Sequence, residues 1–482
     1  MQGTSALDLV DAFEARFDVA AMRFTAYDMP PWAYIRFLLA QVVADRIAGT
    51  SYYLEPAPSD ERLGNPGYVA RTLAELPRSL VPRASKVLIF GSGATNARTP
   101  DGYHNRLVDH FARAAGAEVF EDSYAQRYAS PRRLPGLRYH DPLRAIAAIG
   151  GKVRRLPRRD AGIISELLGL ATSHFGRFLL PADIALLRRF LEQAARRMPI
   201  WRALYHRVFE RVRPALCLIE DASYGHYTHV LAWAHAAGIA TAEYQHGRTY
   251  PQHPAYQLSP RLHDPQWAQY LPQHYLAWGS YWLRYLRTPV KPHIIGFPDL
   301  AERSRSLKVE IGSRDQLLFV SSGLDVGLYQ RVLAELDIAA GKRYRLIFRP
   351  HPGERASAPE KYGEILDRYG WRLDPESDPY ASFSKSILVV GDLSTALFEA
   401  LEFDCQVVLI DAPLPRSLMP PDVFPFCKQF DDLEVLLAAS RQTRVSRHDL
   451  WADNWQERFR RFLAECHIGK AQSEGNGGND SP

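Results

Sequence analysis

Residues 386–404 read SILVVGDLSTALFEALEFD, and this stretch decides the fold class. Its apolar run predicts a short buried strand, which Gly391 ends. The apolar residues that follow recur at helical spacing: Leu393, Ala396, Leu397, Ala400 and Leu401. At about 100° per residue, Thr395, Glu399 and Glu402 fall on the opposite face of that helix. A strand followed at once by an amphipathic helix is the repeating unit of parallel α/β sheets.

The same alternation of strand patterns and helical patterns extends in both directions along the chain. Further strands are predicted at 86–93, 117–123, 217–223, 239–247, 316–323, 344–352 and 406–413. Helices are predicted at 103–116, 228–238, 326–340 and 358–369. We therefore expect an α/β fold in which two Rossmann-like domains meet near residues 290–300 and face each other across a cleft.

These blocks give the expected order of domains. They are a helical N-terminal arm (1–60), a first Rossmann-like domain (61–292) with a helical insertion (about 131–213), a second Rossmann-like domain (293–468) and a disordered tail (469–482). The insertion is basic, since residues 131–160 hold nine Arg or Lys against two acids. Such a run is usually a solvated face, and the alternative is a surface that contacts an anionic acceptor or a membrane.

Composition restricts the class of protein further. The 482 residues are 46% hydrophobic and 23% charged, as in a packed globular protein. The net charge is only +5, and we expect no nucleic-acid partner. No stretch approaches about 18 consecutive apolar residues, and the N-terminus lacks the pattern of a signal peptide. The expected location is the cytoplasm, with peripheral contact to the inner membrane left open.

Several chemistries are disfavoured by the motifs that the sequence lacks. There is no GxxxxGK[ST] loop, no GxGxxG after a strand and no GxSxG elbow. The sequence has no D-x-D pair, which argues against a metal-dependent nucleotide-sugar site. Its four cysteines and 16 histidines show no metal-ligand spacing. We therefore expect neither a metal nor a cofactor.

Polar residues follow three predicted strands of the second domain, at the edge where open α/β sheets bind ligands. The candidates are Ser322, Gly323, Arg349, His351, Ser394 and Thr395. His351 stands between two prolines, and a positioned imidazole can donate to a phosphate. Ser394 and Thr395 lie in the first turn of a helix, where free N–H groups favour an anion. A simple N-cap, formed by Asp392 or Ser394, is the equal alternative.

Candidates in the first domain also follow strands. His246 comes directly after a strand and before Gly247, where a ligand can approach the backbone. Glu220 and Asp221 end the preceding strand, so a carboxylate and an imidazole can meet in one crevice. A carboxylate beside a hydroxyl acceptor is a general base, and a cap for the next helix is the alternative.

The order of QHG (245–247), HP (351–352) and ST (394–395) resembles bacterial surface-polysaccharide glycosyltransferases of the GT-B fold. The sialyltransferase, polysialyltransferase and Kdo-transferase groups are the most similar, over about residues 200–415. The resemblance implies that His351, Ser394 and Thr395 bind the phosphate of a CMP-linked sugar and that Glu399 contacts the donor ribose. It also implies a carboxylate base in the first domain. The families' acidic motif ends in glycine, whereas Ala222 follows here, so the base stays open among Glu220, Asp221 and His246.

The expected function is metal-independent transfer of a sugar from a nucleotide-sugar to a capsule- or lipopolysaccharide-type glycan. QHG is also similar to glycerophosphotransferases of teichoic-acid-type polymers, which implies a CDP-alditol donor as one alternative. The other alternative is a non-catalytic glycan-assembly protein that contacts membrane machinery through residues 131–213.

Overall fold

The computed structural model describes residues 5–25, 27–49, 65–99, 101–307, 311–323, 325–376, 378–441 and 445–468. The expected disordered tail, 469–482, lies outside the described residues, as does part of the N-terminal arm.

The first domain is built on a seven-stranded parallel sheet. Its strands are β1 (Val87–Ser92), β4 (Glu118–Asp122), β5 (Leu137–Tyr139), β6 (Leu216–Ile219), β7 (Ala240–Tyr244), β8 (His274–Ala277) and β9 (Lys291–Ile294). Between β1 and β4, a separate antiparallel hairpin is formed by β2 (Asn96–Thr99) and β3 (Gly102–Asn105). The sheet order is β5-β4-β1-β6-β7-β8-β9. The order therefore reverses between β1 and β6, which is the topological switch point of a Rossmann sheet.

The second domain repeats this plan with six parallel strands. They are β10 (Gln316–Val320), β11 (Arg345–Arg349), β12 (Arg372–Leu373), β13 (Ser386–Gly391), β14 (Gln406–Ile410) and β15 (Phe426–Cys427). Their order is β12-β11-β10-β13-β14-β15, with the switch point between β10 and β13. Two Rossmann-like domains are thus confirmed.

Helices cover both faces of each sheet. In the first half of the chain they are α1 (Ala6–Arg16), α2 (Pro31–Ala48), α3 (Pro66–Leu80), α4 (Asp109–Ala115), α5 (Asp141–Val153), α6 (Arg158–Phe175), α7 (Pro181–Val212), α8 (Thr228–Ala236), α9 (Pro265–Ala268), α10 (Ser280–Leu283) and α11 (Pro298–Ser306). In the second half they are α12 (Val326–Ala340), α13 (Ala358–Arg368), α14 (Pro379–Lys385), α15 (Ala396–Glu402), α16 (Pro413–Leu418), α17 (Leu433–Ser440), α18 (Arg447–Leu450) and α19 (Trp455–Glu465).

Alternation along β1 shows why the sheet needs a helical layer on each side. Val87 and Ile89 pack into one apolar cluster, and Leu88 and Phe90 into another. All four are buried, as expected for a parallel strand covered on both faces. Separately, α1, α2, α6 and α7 share one apolar cluster, so the N-terminal arm packs against the helical insertion.

The chain crosses between the domains more than once. The boundary predicted at 292–293 falls inside β9, which pairs with β8 of the first sheet. Helix α19 also returns to the first domain, where Phe459 packs on Phe111 with ring centroids 4.7 Å apart. Residues 455–465 therefore complete the core of the first domain, although the sequence assigned them to the second.

The two domains contact each other through loops that leave the carboxyl edges of their sheets. The Arg248 side chain, just after β7, donates to the Leu418 carbonyl oxygen at the end of α16, at 2.6 Å. The predicted face-to-face arrangement is therefore present. None of the helices in the described part of the chain combines the length and hydropathy needed to span a bilayer.

One predicted helix is wrong in its first part. Residues 103–116 were expected to be helical, but 103–105 belong to the β2–β3 hairpin and the helix begins only at Asp109. Asn105 explains the break, because its side-chain oxygen accepts from the Leu107 and Val108 N–H groups at 3.1 Å. An asparagine that bonds to the following backbone in this way favours a turn over a helix.

Candidate functional site

The carboxyl edge of the second sheet brings the residues after β10, β11 and β13 to one level. Val320 is in register with Arg349 and with Gly391. His351 and Ser322 each lie two residues beyond this register. Because neighbouring strands are about 4.8 Å apart, the turn after β13 lies about 10 Å from the one after β11. The candidates thus surround the switch point of the second sheet.

Asp392 fixes the shape of this edge. Its carboxylate is buried and accepts from the N–H groups of Ser322, at 3.1 Å, and Leu393, at 2.7 Å, while the Tyr329 hydroxyl donates to its other oxygen. Gly323 is required on the other side, since it has a φ of +81° and a Cβ there would lie 2.7 Å from the Glu354 carboxylate. The Ser322–Gly323 turn is therefore held rigidly against the switch point.

His351 is exposed, and its hydrogen bonding defines its tautomer. Nδ1 accepts from the Gly353 N–H at 3.3 Å. A neutral imidazole that accepts through Nδ1 carries its proton on Nε2. His351 therefore presents an N–H donor at the edge of the sheet, as binding to a phosphate oxygen requires.

Ser394 and Thr395 lie immediately before α15, which begins at Ala396 and not at the predicted residue 393. Ser394 Oγ accepts from the Ala396 N–H at 3.2 Å, which is the N-cap type of contact named as the alternative above. The hydroxyl proton is not used by that bond, so Ser394 can cap the turn and still donate to a ligand.

Arg349 has a different environment from the one expected for a nucleotide-binding residue. The side chain is buried, and its guanidinium donates to the Asp374 carboxylate and, at 3.1 Å, to the Glu376 carbonyl oxygen. The Ser382 hydroxyl donates to the same Asp374 carboxylate at 2.7 Å. Arg349 thus ties β11 to the segment after β12.

Glu399 is buried, although the sequence places it on the helix face opposite the apolar stripe. Arg106 of the first domain reaches across the domain interface and donates to Glu399, to the Tyr380 hydroxyl and, at 3.1 Å, to Asp299. The helical pattern did not show this because the covering residue lies 293 positions away in the sequence. The group Arg106, Asp299, Tyr380 and Glu399 is called the interdomain latch below.

We expect Arg106→Met to destabilise the protein by about 3–5 kcal/mol, because it leaves the buried Glu399 carboxylate without its cation. Chemical denaturation measures this change. The matched control is Arg284→Met. It breaks another interdomain ion pair, Arg284–Asp422, in which each side chain is 37% exposed. That loss should stay below about 1 kcal/mol. Equal losses in the two variants would contradict the role given to the latch.

The carboxyl edge of the first sheet carries Glu220 at the switch point between β1 and β6. Its carboxyl is buried and accepts from the Ser92 N–H at 2.6 Å and the Tyr244 hydroxyl at 3.2 Å. Burial, reinforced by repulsion from Asp221, raises the pKa of Glu220 from 4.5 to about 8. At neutral pH this group is mainly a protonated acid that closes the bottom of the crevice.

A raised carboxyl pKa makes stability depend on pH. The folded state binds the Glu220 proton more tightly than the unfolded chain, so its contribution is present at acid pH and is lost as the pH rises from 4.5 to about 8. The difference between these two pKa values limits the contribution of Glu220 to the free energy of unfolding to about 5 kcal/mol. Glu220→Gln should therefore reduce the loss of unfolding free energy between about pH 5 and pH 9. The exposed Glu364→Gln should retain the wild-type profile, and an unchanged profile for Glu220→Gln would contradict this.

Asp221 is the more accessible of the two acids, with a side chain that is 30% exposed. It has a left-handed backbone, with a φ of +44°, which asparagine and aspartate tolerate better than other side chains. Its carboxylate lies 3.2 Å from Nε2 of His226, a half-exposed imidazole. Burial of the His226 ring acts to lower its pKa, but the Asp221 carboxylate outweighs this effect, so the pKa of His226 is raised. The result is a carboxylate–imidazole pair at the sheet edge.

His246 lies partly buried after β7 and belongs to a chain of hydrogen bonds. Its Nε2 contacts the Tyr224 hydroxyl at 3.1 Å, and that hydroxyl contacts His253 at 3.2 Å. Burial lowers the pKa of His246, which favours the neutral ring. Nδ1 of His246 has no hydrogen-bond partner among the described residues. His246 therefore keeps one unused hydrogen-bonding position, on a buried nitrogen.

A cavity of about 370 Å³ lies between the insertion and the carboxyl edge of the first sheet. Its lining combines two arginines with aromatic rings, imidazoles and one acid: Arg144, Arg197, Trp201, Tyr227, His226, His229 and Asp122, among others. Both ring nitrogens of the buried His229 lack a partner among the described residues. The cavity therefore offers cations and aromatic surfaces to a polar ligand, and two unused nitrogens are buried in its wall.

Sequence reasoning missed several of these residues. His226 and the arginines of the cavity carry no motif, and only the excess of positive charge in 131–213 pointed to Arg144 and Arg197. Arg106 gave no signal at all. The predicted residues Ser322, His351 and Ser394 do share one sheet edge, and Glu220 and Asp221 share the other.

No protein-family profile matches the sequence, and comparison with curated proteins finds no match. Among solved structures, UDP-GlcNAc 2-epimerase from Neisseria meningitidis bound to UDP-GlcNAc is 10% identical, with a TM-score of 0.44 over 79% of this chain and 99% of that one. The glycotransferase of kitacinnamycin is 14% identical, with a TM-score of 0.39 over 80% and 96% of the two chains. A glycosyltransferase involved in avilamycin A biosynthesis is 14% identical, with a TM-score of 0.33 over 79% and 97%.

Similarity this low does not identify an activity for this chain. None of these three structures is a sialyltransferase or a Kdo transferase, so that narrower resemblance stays a prediction. The class rests on the two sheets themselves: this is an α/β protein with two Rossmann-like domains, and polar residues lie at both switch points.

Proposed function

We propose that the protein is a glycosyltransferase that moves a sugar from a nucleotide-sugar, with a CMP-linked donor favoured, to a bacterial surface glycan. One observation carries the proposal. In each sheet, the polar residues that the sequence singled out lie at the topological switch point or one strand away from it, along the edge where open α/β sheets bind ligands. Donor and acceptor are then bound by different domains that face each other.

The donor phosphate would bind at the edge of the second sheet. His351 would donate through Nε2–H, the Ser394 hydroxyl through its free proton, and the Ser322–Gly323 turn would form the floor of the site. Negative charge grows on the phosphate as the bond to the sugar breaks, and donors fixed in advance stabilise such charge. In this proposal Glu399 meets the ribose only if Arg106 shares its carboxylate or releases it.

The acceptor would bind in the cavity above the first sheet. Arg144 and Arg197 suit an anionic glycan, and Trp201 offers an aromatic surface to a sugar ring. Asp221 would take the proton of the acceptor hydroxyl, and His226 would position that carboxylate. The acceptor oxygen then bonds to the anomeric carbon of the donor while the bond from that carbon to the phosphate oxygen breaks, and the nucleotide leaves with the electron pair.

Purified full-length protein incubated with CMP-, UDP- and GDP-sugars and a capsule or lipopolysaccharide oligosaccharide tests this proposal. Mass spectrometry of the products should show an acceptor heavier by one sugar. An acceptor heavier by an alditol phosphate, formed from a CDP-alditol, would instead show the phosphotransferase alternative. Binding to anionic liposomes with no product and no nucleotide affinity would favour the non-catalytic alternative.

A further inference from the structure

Three side chains outside the proposed transfer site converge on one point at the domain interface. They are His104 on β3, His110 on α4 and Asp299 on α11. Nε2 of His104 lies 3.1 Å from Nε2 of His110 and 3.2 Å from Oδ1 of Asp299, and the third side of the triangle is 3.5 Å.

Carboxylates hold the far side of each ring. Nδ1 of His104 lies 3.1 Å from Asp109, and Nδ1 of His110 lies 3.4 Å from Glu302. In a neutral imidazole whose Nδ1–H donates to a carboxylate, Nε2 carries a lone pair, whereas a protonated His104 would donate to both Asp109 and Asp299. With both rings neutral, two nitrogen lone pairs and a carboxylate oxygen face the same small space, an arrangement that a cation would stabilise. A carboxylate behind each ligating imidazole is the usual second layer of a metal site.

The triangle also has the size that a metal requires. With bonds of about 2.0–2.1 Å, ligands at the corners of a tetrahedron lie about 3.3–3.4 Å apart. The observed separations of 3.1, 3.2 and 3.5 Å bracket that value. A single proton on His104 Nε2 is the alternative, since it could be shared between His110 Nε2 and Asp299 Oδ1.

We propose that His104, His110 and Asp299 bind a divalent transition metal ion, with Zn²⁺ as the reference ion. Two imidazoles and one carboxylate suit first-row metals of this kind, and water would complete the coordination. The other oxygen of Asp299, Oδ2, accepts from Arg106 at 3.1 Å, so the ion would hold the interdomain latch in place. The proposal does not depend on the transfer reaction, since the latch is a feature of the fold.

The test is metal binding by the full-length chain without a polyhistidine tag, after treatment with a chelator. Wild-type protein should take up about one Zn²⁺ per chain, measured by elemental analysis after dialysis. His110→Gln should lower the affinity by at least about tenfold. The matched control is His293→Gln. Like His110, His293 contacts another histidine, His274, at 3.0 Å, and packs on α19. The side chains of His110 and His293 are also similarly buried, at 11% and 12% exposure.

The proposal would be overturned if His110→Gln bound Zn²⁺ as tightly as the wild type, or if His293→Gln weakened binding as much as His110→Gln does. The three side chains would then share a proton and not a metal ion. Should His110→Gln fail to fold, Co²⁺ titration of the wild type decides alone. Intense visible d–d absorption typical of four-coordinate Co²⁺ supports the site, and its absence at saturating Co²⁺ refutes it.

Discussion

Asp221→Asn should lower the rate of glycosyl transfer by roughly 100–10,000-fold, the contribution typical of a general base. Asparagine keeps the size of the side chain and tolerates the left-handed backbone at this position, so the fold should remain intact. Because the amide cannot take a proton, the loss should appear in kcat and not in KM for the acceptor. Steady-state kinetics with a saturating donor measures both constants.

The neighbouring candidates separate this result from a general loss of structure. His226→Gln should cost less than Asp221→Asn, since the imidazole only positions the carboxylate. Glu220→Gln should keep most of the activity, because the buried Glu220 is mainly protonated at neutral pH. The assignment fails if Asp221→Asn retains wild-type kcat while Glu220→Gln or a His246 variant loses it.

His351→Ala is expected to lower kcat by roughly 100–1,000-fold, as for the removal of one fixed donor to a developing negative charge. The exposed side chain makes one local hydrogen bond, to Gly353, so thermal stability should change little. Donor kinetics combined with a thermal unfolding curve tests both statements. His448→Ala, which removes another exposed imidazole, serves as the control and should match the wild type. A wild-type kcat for His351→Ala would contradict the donor site.

Local sequence patterns were sufficient for most of the fold. The strand at 386–391 ends at Gly391, as predicted, because four apolar residues, three of them fully buried, and a glycine leave little alternative. The helix at 326–340 matches α12 at both ends. These features depend on residues near each other in the chain. The hairpin at 96–105 did not follow from periodicity, because the side chain of one residue, Asn105, redirects the backbone there.

Long-range contacts were not accessible in the same way. Glu399 was placed on the helix face opposite the apolar stripe, yet Arg106 covers it from the other domain. His104 and His110 are six residues apart and Asp299 is far away, so no ligand spacing could reveal their convergence. The candidate sites were found in part because parallel strands bring their carboxyl ends to one edge, which is a rule of topology. The cavity required the insertion to fold back over that edge.

The most direct test of the central claim is nucleotide binding measured by thermal unfolding. At about 100 times its Kd, a nucleotide that binds only the folded state stabilises it by about 2.7 kcal/mol. We predict that CMP raises the unfolding temperature of the wild type and of His448→Ala more than UMP or GMP does, and that His351→Ala loses most of this shift. The absence of a shift with every nucleotide, or a full shift in His351→Ala, would contradict the account.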